Sequence, residues 1–203
     1  RPMIALLDRR ARIALAILGT LAATPGISQQ DADRFYLGAG LDLANHSARQ
    51  DGVDYGDTPL GAATYGGVQL RDRMALEAAW QSFSSVSSGT IAGSGLSRLA
   101  IDSDVEVVVV RAVFSLDLGD AFPQAARWTV FGTAGAFSLD DRRHVSDLTF
   151  ATTKETREEA SGIALGAGVI YDLQRLRLRA ALEQRDGGDL KHTSLGVTAE
   201  FRF

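Results

Sequence analysis

A hydroxyl nucleophile, an imidazole base and a carboxylate, the side chains of acyl transfer, fall close together in the chain at His192, Ser194 and Glu200. Such a triad is defined by geometry rather than by spacing, because the base must reach the hydroxyl and be oriented by the acid. The histidines His46, His144 and His192 are the second chemically capable group, since neutral imidazole is a common transition-metal ligand. No two of them share a spacing such as His-x-x-x-His, which would put both on one face of one helix. Gly93-Ser-Gly95 lacks the Lys-Ser/Thr and the strand-to-helix junction of a phosphate cradle. Cysteine is absent, which removes disulfides and thiol chemistry. We expect no catalytic residue, no metal and no cofactor, and turn to the elements on which the charged residues sit.

From Arg34 onward, apolar and polar residues alternate with period two, the periodicity of half-buried strands. Phe35, Leu37, Ala39, Leu41 and Leu43 form one face of a first strand, and the pattern returns over 60–70, 105–118, 161–173, 176–182 and 194–203. Segment 74–82 places Leu76, Ala78 and Trp80 opposite Glu77 and Gln81, although its Ala, Leu and Glu content also suits a helix. Segment 128–139 reads as a strand with apolar residues on both parities, so its facing stays open. Pro59 and Pro123 fall in connections, where the missing N–H costs no ladder bond. Connections at 71–73 and 173–175 are tight and 119–126 is moderate. Long polar stretches occupy 44–59, 84–104 and 140–160, while 186–191 is short. The mixed-sign run 154–159 reads as a solvated loop, with room for a helical turn.

The 203 residues are 45% hydrophobic and 23% charged, enough for one ordinary domain. The apolar run 13–23 is shorter than the ~20 residues of a spanning helix. It follows Arg9, Arg10 and Arg12 and precedes small residues, as in a secretory signal peptide. We expect a leader over 1–28 and a mature domain over 29–203, with 17 basic and 24 acidic residues. That acidic balance, without a basic stripe, argues against nucleic acid as a partner.

The apolar strand face is nearly free of charge. The other face carries Glu77, Arg111, Asp117, Asp172, Arg177, Arg179, Glu183, Arg185, Glu200 and Arg202. Parity alone leaves two architectures: a soluble periplasmic ligand-binding barrel with charges outside, or a transmembrane barrel with lipid outside. Two features favour the second, namely the leader and the chain's end, Leu195-Gly-Val-Thr-Ala-Glu-Phe-Arg-Phe203. With its final Phe201 and Phe203, that end resembles the signal by which outer-membrane barrels are handed to the barrel-assembly machinery. The stretches Tyr36-Leu-Gly-Ala-Gly-Leu41, Gly66-Gly-Val-Gln-Leu-Arg-Asp-Arg-Met-Ala-Leu-Glu77 and Leu165-Gly-Ala-Gly-Val-Ile-Tyr171 resemble strands of OmpA-type and opacity-type surface-antigen barrels.

That resemblance implies an all-β fold, a closed antiparallel transmembrane barrel of about eight strands. It implies a monomer in the outer membrane of a Gram-negative cell, among lipid and lipopolysaccharide. No peptidoglycan-binding domain is expected after the barrel, and so no tether. The lumen of an eight-stranded barrel is just wide enough for side chains to fill it. The inner charges should then pair as a network that plugs the lumen, with Gly162, Gly166 and Gly168 leaving room for long arginines. Trp80, Trp128, Tyr171, Phe201 and Phe203 fall near strand ends, where aromatic girdles belong.

The His192-Thr-Ser194 pair also resembles that of lipid A deacylase barrels. Here Leu-Gly replaces the usual following Asn-Ala, the acid is too close, and even-numbered positions of this strand face the lumen rather than acyl chains. The function expected is structural or surface-interacting, with the long loops meeting an extracellular partner such as a host, phage or envelope component. A narrow channel or solute-binding barrel is the alternative, and a lipid-modifying enzyme the second.

Overall fold

The computed structural model describes residues 34–50, 53–91, 97–147, 152–173, 176–187 and 190–203. The expected leader, 1–28, lies outside the described residues. The strands are β1 (Phe35–Gln50), β2 (Val53–Asp57), β3 (Leu60–Arg71), β4 (Met74–Ile91), β5 (Ser97–Asp117), β6 (Trp128–Asp147), β7 (Thr152–Leu173), β8 (Leu176–Gly187) and β9 (Leu190–Arg202). All neighbours pair antiparallel in one meander, and β9 returns to β1, from Tyr36↔Arg202 up to Ser47↔Lys191. The sheet therefore closes and has no edge along the barrel wall.

The barrel has eight strands, because β2 and β3 pair with β1 in one continuous register, from Gln50↔Val53 to Phe35↔Val68. They are one strand interrupted at Thr58 and Pro59. Proline has no N–H to give the ladder, but its carbonyl still accepts from Ala44 N at 2.9 Å.

Period two places the side chains. Leu41, Phe114, Ile163, Leu182 and Val197 are each more than half exposed on the outer surface, while their sequence neighbours Asp42, Val113, Glu183 and Thr198 are buried in the lumen. The open facing of β6 resolves as odd residues inward: Thr129, Phe131, Thr133, Phe137 and Leu139. Apolar residues occur on both parities there because Phe131, Phe137 and Leu139 pack in the lumen with Val105, Val107, Val109 and Val113 of β5. Segment 74–82, whose composition suits a helix equally, is strand.

The long stretches at 84–104 and 140–160 are not loops but strand for most of their length. β4 and β5 stay paired to Ile91↔Ser97, and β6 and β7 to Asp147↔Thr152. The run 154–159 belongs to β7 and has no helical turn. These segments lack the alternating signal because, beyond the apolar band, neither face needs to be apolar, whereas backbone pairing needs no particular side chain. In 44–59, too, β1 and β2 form a paired extension.

The inner glycines make room, but not for arginine. A Cβ at Gly168 would overlap Phe131, one at Gly166 would meet Thr133, and one at Gly162 would strike the backbone of β8 at Asp186. Most lumen arginines, Arg177, Arg179 and Arg185, come instead from β8, the strand paired with β7.

Candidate functional site: the charged lumen and the long hairpins

Most of the charge in the lumen stands on β4, β5, β8 and β9, with Asp42 of β1 and Asp172 of β7 joining it. Glu77 accepts from Tyr36 Oη at 2.9 Å, from Arg111 Nε at 2.8 Å and from Arg179 Nη1 at 2.5 Å. Arg111 reaches on to Glu183, which also accepts from Arg185 Nε at 2.8 Å. Arg185 donates to Gln81, and Gln81 to Asp42. One network therefore crosses the lumen from β1 to β8. Every charged member is nearly inaccessible to solvent. The guanidinium of Arg179 also stacks over the rings of Phe131, at 4.1 Å, and Tyr65, at 4.9 Å, on the two sides of the lumen.

A second group lies nearer the short turns. Glu200 accepts from Arg177 Nη1 at 3.1 Å and from Tyr65 Oη at 3.2 Å, and Arg202 Nε stands 3.8 Å from it. Asp172 lies 3.3 Å from Arg177 Nε. Of the residues expected to share one network, the structure divides Glu77, Arg111, Arg179 and Glu183 from Asp172, Arg177, Glu200 and Arg202. Asp117 belongs to neither, sitting at the mouth with Thr129 Oγ1 2.5 Å away. The expected set omits Asp42, Gln81, Tyr36 and Tyr65, which the structure adds. Their inner parity is the signal that could have found them, but parity does not say which polar residues of the lumen meet.

Two cavities measure how full the lumen is. At the short-turn end a cavity of about 430 Å³ is lined by Asp72, Asp117, Arg127, Arg177 and Arg202 among others. In the middle, around Asp42, Gln81, Arg111, Glu183 and Ser194, only about 30 Å³ remains, room for about one or two waters. Above it Phe83, Val105, Val107, Phe137 and Leu139, all at most 5% exposed, complete the packing.

His192 and Ser194 face this lumen, both buried, and Glu200 is held by Arg177 and Tyr65. His192 packs edge-on against Phe83 with ring centroids 5.3 Å apart. His144 is exposed on the outer parity of β6.

Outside, at the level of the short turns, Trp128 and Tyr171 are direct cross-strand partners with ring centroids 4.9 Å apart. From there up to Glu106, Asp140 and Glu159, no outward-facing position of β5, β6 or β7 carries a charge. Beyond that stretch charges return, with Asp102, Asp104 and Glu106 on β5, Arg142 on β6 and Asp186 on β8. An uncharged apolar belt ends in aromatic residues on one side and charges on the other, as a bilayer-spanning barrel requires.

The family model "Outer membrane protein beta-barrel domain" matches residues 13–203. The chain belongs to this family of outer-membrane barrels. No curated protein sequence matches it. Among solved structures it is similar to Ail, the attachment invasion locus protein of Yersinia pestis, with 16% identity, 84% of this chain and 99% of that chain covered, and a TM-score of 0.56. Neisserial surface protein A gives 12% identity, 83% and 97% coverage and 0.54. A major outer membrane protein from Thermus thermophilus gives 11%, 81% and 99%, and 0.53. At these identities the likeness is one of fold.

For an outer-membrane barrel the outer face meets hydrocarbon, which a single substitution tests. Val197, mid-belt on β9 between Leu41 and Ala180, is 59% exposed. We expect Val197→Arg to cost roughly 2–4 kcal/mol in the urea midpoint of protein folded into lipid vesicles. A soluble barrel would show almost no change, because an exposed arginine in water is nearly neutral.

Above the membrane the hairpins are held by ion pairs. Asp140 accepts from Arg157 Nε at 2.9 Å and Nη2 at 2.7 Å, and from Arg142 Nη2 at 3.3 Å. Burial pushes its carboxyl up, but the two arginines outweigh burial and hold it below the usual carboxylate range. A depressed folded pKa contributes stability above the unfolded value, near 4, that is lost as pH falls through the folded value. Amide protection in the β6–β7 extension should therefore fall as pH drops below about 4, and the fall should shrink in Asp140→Asn.

Proposed function

We propose that the protein is a monomeric, non-conducting and non-enzymatic outer-membrane barrel that acts through its extracellular hairpins. The observation that carries this is the mismatch in length. A membrane-spanning strand needs about 9–11 residues, whereas β4, β5, β6 and β7 have 18, 21, 20 and 22. β4 leaves β3 after Gly61↔Phe83 and runs eight residues further, a projection of about 26 Å along the strand. β7 leaves β8 at Ile163↔Asp186 and extends eleven residues the other way to Thr152. Four strands thus rise as a sheet above the membrane, a scaffold for contact with molecules outside the cell. Phe201 and Phe203, both about half exposed on the outer surface, suit recognition by the barrel-assembly machinery before insertion.

Charge narrows the partner. Residues 44–59, 84–104 and 140–160 hold eleven Asp and Glu against six Lys and Arg. The Yersinia protein has been solved with the heparin analogue sucrose octasulfate. An acidic projection suits basic protein surfaces better than sulfated glycans. Adhesion of cells displaying the protein to a basic protein layer should exceed adhesion to heparin. It should fall when 86–101 and 145–154 are each replaced by a tight turn. Unchanged adhesion in the trimmed protein would remove the hairpins from the function.

The filled mid-lumen supports the absence of conduction. In planar bilayers we expect no steady current, and a step-like current would favour the narrow channel instead. Lumen-facing positions of His192 and Ser194 support the absence of lipid hydrolysis, since acyl chains lie on the opposite face. Incubation with lipopolysaccharide should release no fatty acid.

A further inference from the structure

Three inward-facing arginines stand side by side at the short-turn end of the lumen. Arg177 and Arg179 are two residues apart on β8, and Arg202 lies two residues beyond Glu200, the direct partner of Arg177 on β9. Such same-face neighbours have Cα atoms about 7 Å apart, close enough for side chains as long as arginine to meet on one small ligand. All three line the cavity of about 430 Å³, which reaches the surface at the exposed Asp72 and Arg127. Each carries a buried N–H with no hydrogen-bond acceptor among the described residues, namely Nε of Arg177, Nη2 of Arg179 and Nε of Arg202. Asp172 stands 3.3 Å from Arg177 Nε, near enough for Coulomb attraction but out of line for a hydrogen bond. Arg177 and Arg179 are 7% and 2% exposed, so bulk water does not reach these groups. A buried charged donor without an acceptor is costly, and three on one cavity wall call for a ligand that supplies acceptors.

The carboxylates of the same wall are already engaged by protein donors. Glu77 accepts from Tyr36, Arg111 and Arg179, Glu200 from Arg177 and Tyr65, and Asp117 from Thr129. We propose that the cavity binds a tetrahedral oxyanion of the phosphate class, held by Arg177, Arg179 and Arg202. Donors on three separate side chains need an acceptor with at least three free oxygens. Inorganic phosphate and phosphate monoesters have them, whereas the phosphodiester of a lipid headgroup has two. Hydrogen bonds between guanidinium and phosphate are charge-assisted on both sides and stronger than those to water. Arg127 at the mouth adds a positive charge on the path of entry, which lies on the periplasmic side, where the short turns of an outer-membrane barrel stand. Beyond the cavity only about 30 Å³ remains around Arg111 and Glu183, so the anion is held rather than passed on. The site is independent of the adhesion reading, because it lies at the other end of the barrel from the long hairpins.

The test is calorimetric titration of inorganic phosphate into the refolded full chain in a non-ionic detergent and chloride buffer, with heat-modifiable gel mobility confirming the fold of each variant. We expect one saturable equivalent, weakened at least about tenfold in Arg202→Gln, the loss of one charge-assisted hydrogen bond. Arg202→Gln leaves Arg177 on Glu200, so the ion pairing of the lumen survives it. Should that variant fail to fold, the exposed Arg127→Gln serves in its place, with an expected weakening of about threefold. Arg73, at the same end but paired with Asp120 outside the cavity, is the control for diffuse surface charge, and Arg73→Gln should bind as the unsubstituted chain does. Dimethyl phosphate, which has the two free oxygens of a lipid phosphodiester, should bind at least about tenfold more weakly than inorganic phosphate. The absence of saturable binding would overturn the proposal. So would undiminished affinity in Arg202→Gln, an equal loss in Arg73→Gln, or tighter binding of the diester.

Discussion

Glu77→Ala should be among the most damaging single substitutions in the barrel, lowering stability by roughly 3–5 kcal/mol. Glu77 is 1% exposed and is the shared acceptor of Arg111, Arg179 and Tyr36. Truncation leaves two guanidinium groups in the lumen, and one of them, Arg179, has no other carboxylate within ion-pair distance among the described residues. Arg111 keeps Glu183. The cost is the desolvation of a charge that no longer has its counter-ion, which exceeds the net worth of the pair itself. The companion variant Glu77→Leu with Arg179→Met removes one charge of each sign and should recover most of the loss. Urea midpoints in lipid vesicles measure both. If Glu77→Ala were nearly silent, water would have to hydrate the arginines, and the narrow channel would gain what the plugged lumen lost.

The second large effect is expected at a pair of interlocked tyrosines and glycines. Across β1 and β3, Tyr36 is opposite Gly67 and Gly38 is opposite Tyr65. Each ring lies over the facing glycine, so that a Cβ at Gly38 would overlap the phenol of Tyr65 and one at Gly67 that of Tyr36. The rings meet edge to face at 6.3 Å, and their hydroxyls tie Tyr36 to Glu77 and Tyr65 to Glu200. Gly38→Ala must displace a ring on which Arg179 stacks, which should cost about 1–3 kcal/mol. Tyr65→Phe, which removes only the hydroxyl, should cost about 1 kcal/mol. The decisive comparison is a double-mutant cycle. Adding Gly38→Ala to Tyr65→Ala should cost far less than adding it to the unsubstituted chain. Equal costs in the two backgrounds would mean that no interlock exists.

The strands of the membrane belt are legible in the sequence because hydrocarbon outside and side chains inside impose alternation at every position. Leu37, Leu41 and Leu43 against Asp42, or Leu178 and Leu182 against Arg179 and Glu183, can be sorted without coordinates. Where that pressure ends, so does the signal. Residues 84–91 and 97–104 pair in register as the belt does, yet their polar composition reads as loop. β6 is ambiguous because Phe137 and Leu139 face the lumen beside Val105, Val107 and Val109, and alternation cannot distinguish lipid from an interior that is apolar at that level.

By itself the sequence determined the strands of the belt and, β6 apart, which of their residues share a face, while the likeness of its final strand to outer-membrane barrels put lipid on the apolar face. It did so because period two is a local property, written residue by residue. Only the tertiary structure decided which inner residues meet. Glu77 finds Arg179 across a separation of 102 positions, and Tyr65 finds Glu200 across 135. Such meetings depend on the stagger of strands around a closed wall. A shift of one residue in register would separate them while leaving the pattern of each strand almost unchanged.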